Sequence, residues 1–157
     1  MSLTALVPSL VRPILQTDFD AWKPLWDGYN AFYGRQGATA LADEITHTTW
    51  QRFFDLNEPV FGLVAESGGV LLGLTHYLFH RSTTRVELTC YLQDLFTLPD
   101  ERGRGVGRAL IEGVSAAARG AGVKRLYWQT HETNAAGRQL YDKVAQHLGF
   151  VVYSRDL

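Results

Sequence analysis

The segment Arg102–Gly107, whose sequence is RGRGVG, has the residue types that bind an anion. Its three glycines leave the backbone open to a ligand and tolerate positive φ angles. Its two arginines, together with Arg108 directly after it, add positive charge. If a helix begins here, its first amides lack intrahelical partners and carry the positive end of the helix dipole. The segment therefore predicts an anion site, and a pyrophosphate is the anion that suits it best.

The glycine loop, considered alone, has three alternative interpretations. The dinucleotide-binding fingerprint G-x-G-x-x-G, which would indicate an oxidoreductase, places its third glycine at Arg108 and therefore fits poorly. A P-loop requires Gly-Lys-Ser or Gly-Lys-Thr, which the sequence lacks. A plain strand-to-helix turn, in which the glycines only serve packing, accounts for the loop without any ligand and stays open.

Composition limits the class of protein. The chain has 157 residues, 46% of them hydrophobic and 20% charged, and we expect one globular domain over residues 1–157. A net charge of −1 argues against nucleic acid as a partner, and the apolar runs are far shorter than the roughly 20 residues of a membrane span. Cys90 is the single cysteine, so we expect a reducing, cytoplasmic location. The five histidines form no HExxH motif, so we expect no metal site.

Hydrophobic periodicity predicts the elements that position the loop. Trp22, Trp26, Tyr29 and Tyr33 fall on one helical face, and the strand alternation that breaks at residues 94–96 allows a bulge there. We expect an α/β (α+β) fold with a mixed central sheet and four helices, in the order β-α-α-β-β-β-α-β-α-β. The predicted strands are Leu10–Leu15, Val60–Glu66, Val70–His80, Val86–Leu98, Lys124–Thr130 and Phe150–Ser154. The predicted helices are Asp18–Tyr33, Leu41–Leu56, one from the glycine loop to Gly120 or Gly122, and Ala135–Leu148.

Three motifs in this order resemble those of the GCN5-related N-acetyltransferase (GNAT) superfamily. Arg102-x-x-Gly105-x-Gly107 matches the signature (Gln/Arg)-x-x-Gly-x-(Gly/Ala), and residues 91–99 resemble the fourth strand that leads into it. Residues 134–143 and Gly149-Phe150 resemble the second conserved block, in which an Asn opens a helix. The segment between Lys143 and Gly149 is four residues longer than the corresponding segment of the family. Four residues are about one helical turn, so we expect a longer helix. The resemblance implies the GNAT fold, with about six to seven strands.

The resemblance implies that acetyl-CoA is the cofactor, without a metal. Backbone groups of the fourth strand would pair with the pantetheine arm, and amides of the glycine loop would bind the pyrophosphate. Asn134 would contact the cofactor near the pantetheine arm, and Lys143 would lie near the nucleotide. The implied cofactor-binding residues are Leu95, Phe96, Thr97, Arg102, Gly103, Arg104, Gly105, Val106, Gly107, Arg108, Asn134, Gly137 and Lys143.

The chemistry implied is direct attack of a primary amine on the thioester in a ternary complex. Tyr141 is the predicted general acid, since the resemblance places its hydroxyl near the departing sulfur. Related enzymes often carry a Glu at the position of Gln93, which cannot accept a proton usefully, so the general base stays open. The candidates, acting directly or through water, are Asp94, His131, Glu132 and Glu87. An acyl-CoA-binding domain without turnover is the alternative function.

The first helix and the loop after it carry an aromatic wall and Arg35, in a region that lines the acceptor pocket in this family. An aromatic wall can hold a cationic amine by cation–π contact, although most of these side chains also suit a helix core. The predicted substrate residues are Tyr29, Tyr33, His76 and Gln93. We expect a small amine, a polyamine or a protein lysine as acceptor. The family often dimerises through sheet edges, and a homodimer is expected here.

Overall fold

The structure, a computed structural model, describes residues 9–157. Its single sheet has five strands in the order in which they occur along the chain. The first four strands pair antiparallel, and the fifth lies parallel to the fourth. The strands are β1 (Leu10–Pro13), β2 (Val60–Ser67), β3 (Val70–His80), β4 (Thr89–Thr97) and β5 (Leu126–Tyr127). The helices are α1 (Phe19–Phe32), α2 (Asp43–Arg52), α3 (Val106–Gly120) and α4 (Ala135–Val144).

The predicted mixed α/β class, the four helices and the order of elements through α4 are confirmed. The sheet is smaller than the six to seven strands expected, because Phe150–Ser154 forms no strand and β5 is shorter than Lys124–Thr130. The prediction of a longer final helix is also wrong, because α4 ends at Val144 and Ala145 is extended, with φ −151° and ψ −179°. Residues 145–150 are exposed, so no buried face stabilises further helical turns. That the chain forms one domain stays a prediction.

The sheet is packed on both faces. Alternation along β2 points Val64 toward a core with Trp22 of α1, and points Leu63 toward a second core with Val114 of α3. Both Trp22 and Val114 are fully buried. The aromatic stripe of α1 therefore holds that helix against one face, as its spacing predicts, while α3 and α4 cover the other.

Two irregularities in β4 shape the region between the helices. His76 pairs with Asp94 and Tyr77 pairs with Leu92, so Gln93 is an extra residue that forms a β-bulge. The bulge was expected, but it lies one residue before the predicted segment 94–96. Strand β5 pairs with β4 only at Cys90 and Tyr91, and within the described residues β4 continues to Thr97 without a strand on that side. The two strands therefore separate after Tyr91, near the start of β4.

Candidate active site

The glycine loop forms the predicted cradle at the end of β4. A short 3₁₀ turn at Pro99–Glu101 follows the strand, and α3 begins directly after Gly105. Gly103 and Gly105 have φ angles of 76° and 84°, in the left-handed region that strains any residue with a Cβ. The cradle thus depends on glycine for its backbone shape and leaves the first amides of α3 free of side-chain cover.

Charge around the cradle suits a phosphate group. The first turn of α3 consists of Val106, Gly107 and Arg108, so the positive end of the helix dipole meets no acidic side chain there. Arg102 is held in place, because its Nε donates to the Thr97 carbonyl at 3.3 Å. Arg104 pairs with Glu101 at 3.2 Å. Free amides, the positive end of the helix dipole and the guanidinium groups of Arg102 and Arg108 fit the pyrophosphate of CoA, whereas Glu101 offsets the charge of Arg104.

The second conserved block brings α4 against this cradle. The side-chain Oδ1 of Asn134 accepts from the Gly137 backbone N–H at 3.2 Å, and its side-chain Nδ2 donates to the Thr130 hydroxyl at 2.9 Å. Asn134 is thus the predicted helix cap. The packing of α4 on α3 is tight, since a Cβ on Gly107 would lie 3.3 Å from Leu140. Lys143 is exposed in the last turn of α4.

Tyr141, the predicted acid, follows Leu140 and is partly buried. Its ring meets Trp128 edge-on, with centroids 5.6 Å apart. Burial, and then the nearby Tyr33, raise the pKa of Tyr141 above its usual range. The phenol therefore stays protonated at neutral pH, which is the state that a proton donor needs.

A cavity of about 700 Å³ opens where β4 and β5 separate. One wall comes from the β4 bulge, with Gln93 and Asp94, and the facing wall from residues 129–131 after β5. Helix α1 and the following loop add aromatic rings to the lining. All four predicted substrate residues, Tyr29, Tyr33, His76 and Gln93, line this one cavity. Of the predicted bases, Asp94 and His131 line this cavity, whereas Glu132 and Glu87 lie outside its lining.

Three buried side chains form a hydrogen-bonded chain at this cavity. The Trp22 indole N–H donates to His76 Nε2 at 3.0 Å, and His76 Nδ1 lies 2.8 Å from Asp94 Oδ2. An indole nitrogen only donates, so Nε2 must be the acceptor and the ring proton must lie on Nδ1. His76 is therefore a neutral ring that donates to the Asp94 carboxylate. This arrangement fixes the orientation of Asp94 and leaves its other lone pairs for a ligand.

The carboxylate is further enclosed by its neighbours. The Thr75 hydroxyl donates to the Asp94 backbone carbonyl at 2.8 Å and holds the strand beside the bulge. Burial, and then the charge of Asp94, raise the pKa of Tyr29 well above its usual range. Asp94 itself is only 7% exposed. A buried carboxylate between a neutral imidazole and a phenol is a strong local anion in a cavity otherwise rich in aromatic rings.

The remaining candidates for a reactive group are the thiol of Cys90 and a bound metal ion. Cys90 is fully buried, and burial raises the pKa of its thiol to about 12, so the nucleophilic thiolate is scarce at neutral pH. Residues 9–157 hold no cluster of three or more His, Cys, Asp or Glu side chains arranged to ligate a metal ion. None of the helices in the same range has the length and apolar character that a membrane span requires.

The sequence did not indicate the role of Trp22. Its place in the aromatic stripe of α1 predicted a core residue, and it is indeed fully buried. Its hydrogen bond to His76, 54 residues away, depends on how α1 lies across β3. The spacing of the stripe does not predict which side chain bonds to His76, because the indoles of Trp22 and Trp26 carry the same N–H donor.

Comparison with known proteins agrees with this geometry. The model of the acetyltransferase (GNAT) family matches residues 22–146. The chain belongs to this family. The D-amino-acid N-acetyltransferase of Saccharomyces cerevisiae is 35% identical over 149 residues, which cover 94% of this chain and 90% of that protein. The uncharacterized N-acetyltransferase YhfO of Bacillus subtilis is 30% identical, over 91% of this chain and 94% of its own.

Solved GNAT structures share the fold. The structure of AAC(6')-Iy in complex with a bisubstrate analogue of CoA superposes with a TM-score of 0.80, at 16% identity, over 95% of this chain and 98% of the other. A ribosomal-protein-alanine N-acetyltransferase from Brucella melitensis gives 0.76 at 19% identity, over 95% and 99%. The predicted enzyme class is thereby confirmed: this GNAT protein is an acetyl-CoA-dependent N-acetyltransferase.

Proposed function

We propose that the enzyme acetylates a primary amine of a small molecule by direct attack in a ternary complex. One observation carries the proposal: the buried Asp94 carboxylate faces a cavity of about 700 Å³ at the point where β4 and β5 separate. The same β4 runs on to the glycine cradle. An amine bound in the cavity and a thioester bound along the free edge of β4 would therefore meet at the gap between the strands.

Residues on the cofactor side would hold CoA through the backbone. The edge of β4 at Leu95–Thr97 offers main-chain groups to the pantetheine arm, and the start of α3 offers amides to the pyrophosphate. Bound acetyl-CoA supplies an activated acyl carbon. The ammonium would first give one proton to the base, and the free amine would then bond to that carbon while the C–S bond breaks. The nitrogen would lose its second proton as the amide forms, and the departing thiolate would take up a proton from the general acid.

Asp94 is the proposed general base. An alkyl ammonium with a pKa near that of lysine needs about 4–5 kcal/mol to lose its proton at pH 7, so a base near the nitrogen is required. Asp94 attracts the ammonium, and its orientation is fixed by His76. His76 acts as a positioning residue, because its Nε2 lone pair is occupied by Trp22. His131 lies on an exposed loop with its Nδ1 bonded to the Thr133 hydroxyl, which supports a lesser role.

Tyr141 is the proposed general acid. Its raised pKa keeps the phenol protonated, and α4 brings it against the start of α3 at Gly107. A donated proton would stabilise the departing CoA thiolate.

Turnover with acetyl-CoA and a panel of amines tests the proposal. Free CoA thiol and an acetylated amine, detected by mass, are expected to appear together in equal amounts. Tight CoA binding without transfer to any amine would instead favour an acyl-CoA-binding domain. The yeast relative is a D-amino-acid N-acetyltransferase, which supports a small molecule over a protein lysine as acceptor.

We also propose that the enzyme works as a homodimer in the cytoplasm. Residues 146–157 make no backbone hydrogen bond to any other part of the chain that the structure describes. Their apolar side chains are exposed, with Phe150 at 83% and Tyr153 at 91%. Pairing of this segment with a second copy would satisfy both features. Light scattering is expected to give a dimer mass, and Phe150→Asp a monomer; a monomeric wild type would contradict the proposal.

A further inference from the structure

We infer that the acceptor carries an anionic group beside its amine, as an α-amino acid does, and that Arg35 binds this group. The inference rests on the proposed N-acetyltransferase function and specifies its substrate class. It follows from the charged side chains that line the acceptor cavity and from the free N–H groups of Arg35. It also follows from the positions of Arg35 and Asp94, which lie in the same cavity as Tyr29 and Tyr33.

The charges that line the cavity select against a polycation. Apart from histidines, its charged side chains are Asp94, Arg35 and Arg52. His76 is a neutral ring and adds no charge. A polyamine or a basic peptide would bring a second cation into a wall that has one carboxylate and two guanidinium groups. Like charges at close range destabilise a complex, whereas a molecule with one ammonium and one carboxylate matches this wall.

Arg35 is fixed in position by groups that leave part of its guanidinium free. Its Nε donates to the Asn30 side-chain oxygen at 2.7 Å, and buried Asn30 is itself held by a bond to the Trp26 carbonyl at 2.9 Å. The guanidinium lies over the rings of Tyr29 and Tyr33, with centroids 5.8 and 5.4 Å away. These cation–π contacts and the Nε hydrogen bond hold the guanidinium beside the two rings without using its remaining N–H groups.

Arg35 has no protein carboxylate to neutralise it in the described part of the chain. Between residues 9 and 157, no Asp or Glu oxygen lies within 4.0 Å of its side-chain nitrogens, and neither Nη atom has a hydrogen-bond partner. Arg52 differs, because its Nε lies 3.9 Å from Glu58. A preorganised guanidinium with unused N–H groups is the geometry that recognises a carboxylate through two parallel bonds.

The two charges act on the same phenols. Asp94 raises the pKa values of Tyr29 and Tyr33, and Arg35 lowers both, although burial is the larger effect in each case. Arg35 lies 5.8 and 5.4 Å from the centroids of the two rings, and Asp94 lines the same cavity as both tyrosines. An acceptor whose ammonium meets Asp94 would direct an adjacent carboxylate along this phenol pair toward Arg35. The rest of the acceptor would then lie against aromatic side chains, which include Trp26, Phe53 and Tyr91.

The test compares acceptors that differ in the carboxylate alone. Phenylalanine, as each enantiomer, and phenethylamine share an aromatic ring and a primary amine, but only phenylalanine is an acid. The wild type is expected to prefer at least one phenylalanine enantiomer by kcat/KM. Arg35→Gln is expected to lower kcat/KM for phenylalanine by roughly 10- to 100-fold, mainly through KM, because hydrogen bonds to charged groups contribute about 1.5–3 kcal/mol. The same variant should change the value for phenethylamine by less than about threefold, since that acceptor makes no carboxylate contact.

Controls keep the inference separate from the function itself. Arg35→Lys retains the charge without the planar fork and should give an intermediate loss for phenylalanine, while the exposed Arg119→Gln should match the wild type. CoA binding, measured by thermal shift, verifies that each variant is folded. Equal losses for both acceptors, or a wild type that prefers phenethylamine, would overturn the inference and leave the acetyltransferase intact. Absence of turnover with any amine, despite CoA binding, would overturn the proposed function instead.

Discussion

The two ends of the proposed site are built from different kinds of groups, backbone at one end and side chains at the other. The proposed cofactor end is made of backbone: a strand edge, two glycines with positive φ angles and the first amides of α3. The proposed acceptor end is made of side chains from α1, β3 and β4, which meet at Trp22, His76 and Asp94. Backbone groups can bind the same ligand in every member of a family, whereas a cavity of side chains can change its acceptor with a few substitutions.

Because the two ends use different groups, substitutions at one end should affect different measurements from substitutions at the other. Changes at the acceptor end should alter turnover with little effect on CoA affinity, and changes in the glycine loop should do the reverse. Turnover and CoA affinity are therefore both measured for each variant.

Asp94→Asn is expected to have the largest effect. Asn retains the shape and still accepts the His76 hydrogen bond, but it cannot take a proton, so kcat/KM for the amine should fall by about 10²- to 10⁴-fold. The dissociation constant for CoA, from titration calorimetry, should stay within about twofold. The exposed Asp20→Asn is the matched control. A parallel loss of CoA affinity would mean that the two ends are not independent.

Tyr141→Phe tests the group that lies between the two ends. Loss of the hydroxyl should lower kcat by roughly 10- to 100-fold while CoA affinity is kept, because the ring still packs on Trp128. The pKa of Tyr141 is raised, so its acid form persists to a higher pH than a free tyrosine near 10. Any decline of kcat due to this group should therefore begin above pH 10, and Tyr141→Phe should remove it. Tyr127→Phe, at a position outside the cavity lining, is the control. An alkaline limb near pH 8 that vanishes in Tyr141→Phe would contradict this assignment.

Gly105→Ala is expected to have the smallest effect, confined to the cofactor end. A Cβ at φ 84° costs on the order of 1–2 kcal/mol, so a loop that relaxes away from this conformation should bind CoA up to about tenfold more weakly. At saturating acetyl-CoA, kcat should match the wild type. Gly120→Ala at the end of α3, where a Cβ meets open space, is the control. A fall in kcat at saturation would show that the loop also shapes the reacting groups.

The same contrast accounts for what the sequence predicted. Gly103–Gly107 was identified because positive φ angles and free amides leave a local pattern, and the Asn134 cap was identified for the same reason. The acceptor residues Tyr29, Tyr33, His76 and Gln93 came from the family resemblance, and they line one cavity. Their assignment to the substrate, like that of the cofactor contacts, stays a prediction.

The failures have a physical cause as well. The base could not be chosen from sequence, because the His76–Asp94 pair depends on a register that includes the Gln93 bulge. Without the bulge, a shift by one residue would send the Asp94 side chain to the other face of the sheet. The strand predicted at Phe150–Ser154 would need a paired neighbour, and residues 146–157 make no backbone hydrogen bond to any other part of the described chain.

The stacked pair Trp22 and Trp26, with centroids 5.6 Å apart, has an optical consequence. Trp26 lines the acceptor cavity, and Trp22 reports the hydrogen bond to His76. Trp128 lies instead beside Tyr141, the proposed general acid. Indole emission is therefore expected to respond both to a ligand in the acceptor cavity and to one beside Tyr141, and it can be read without any label.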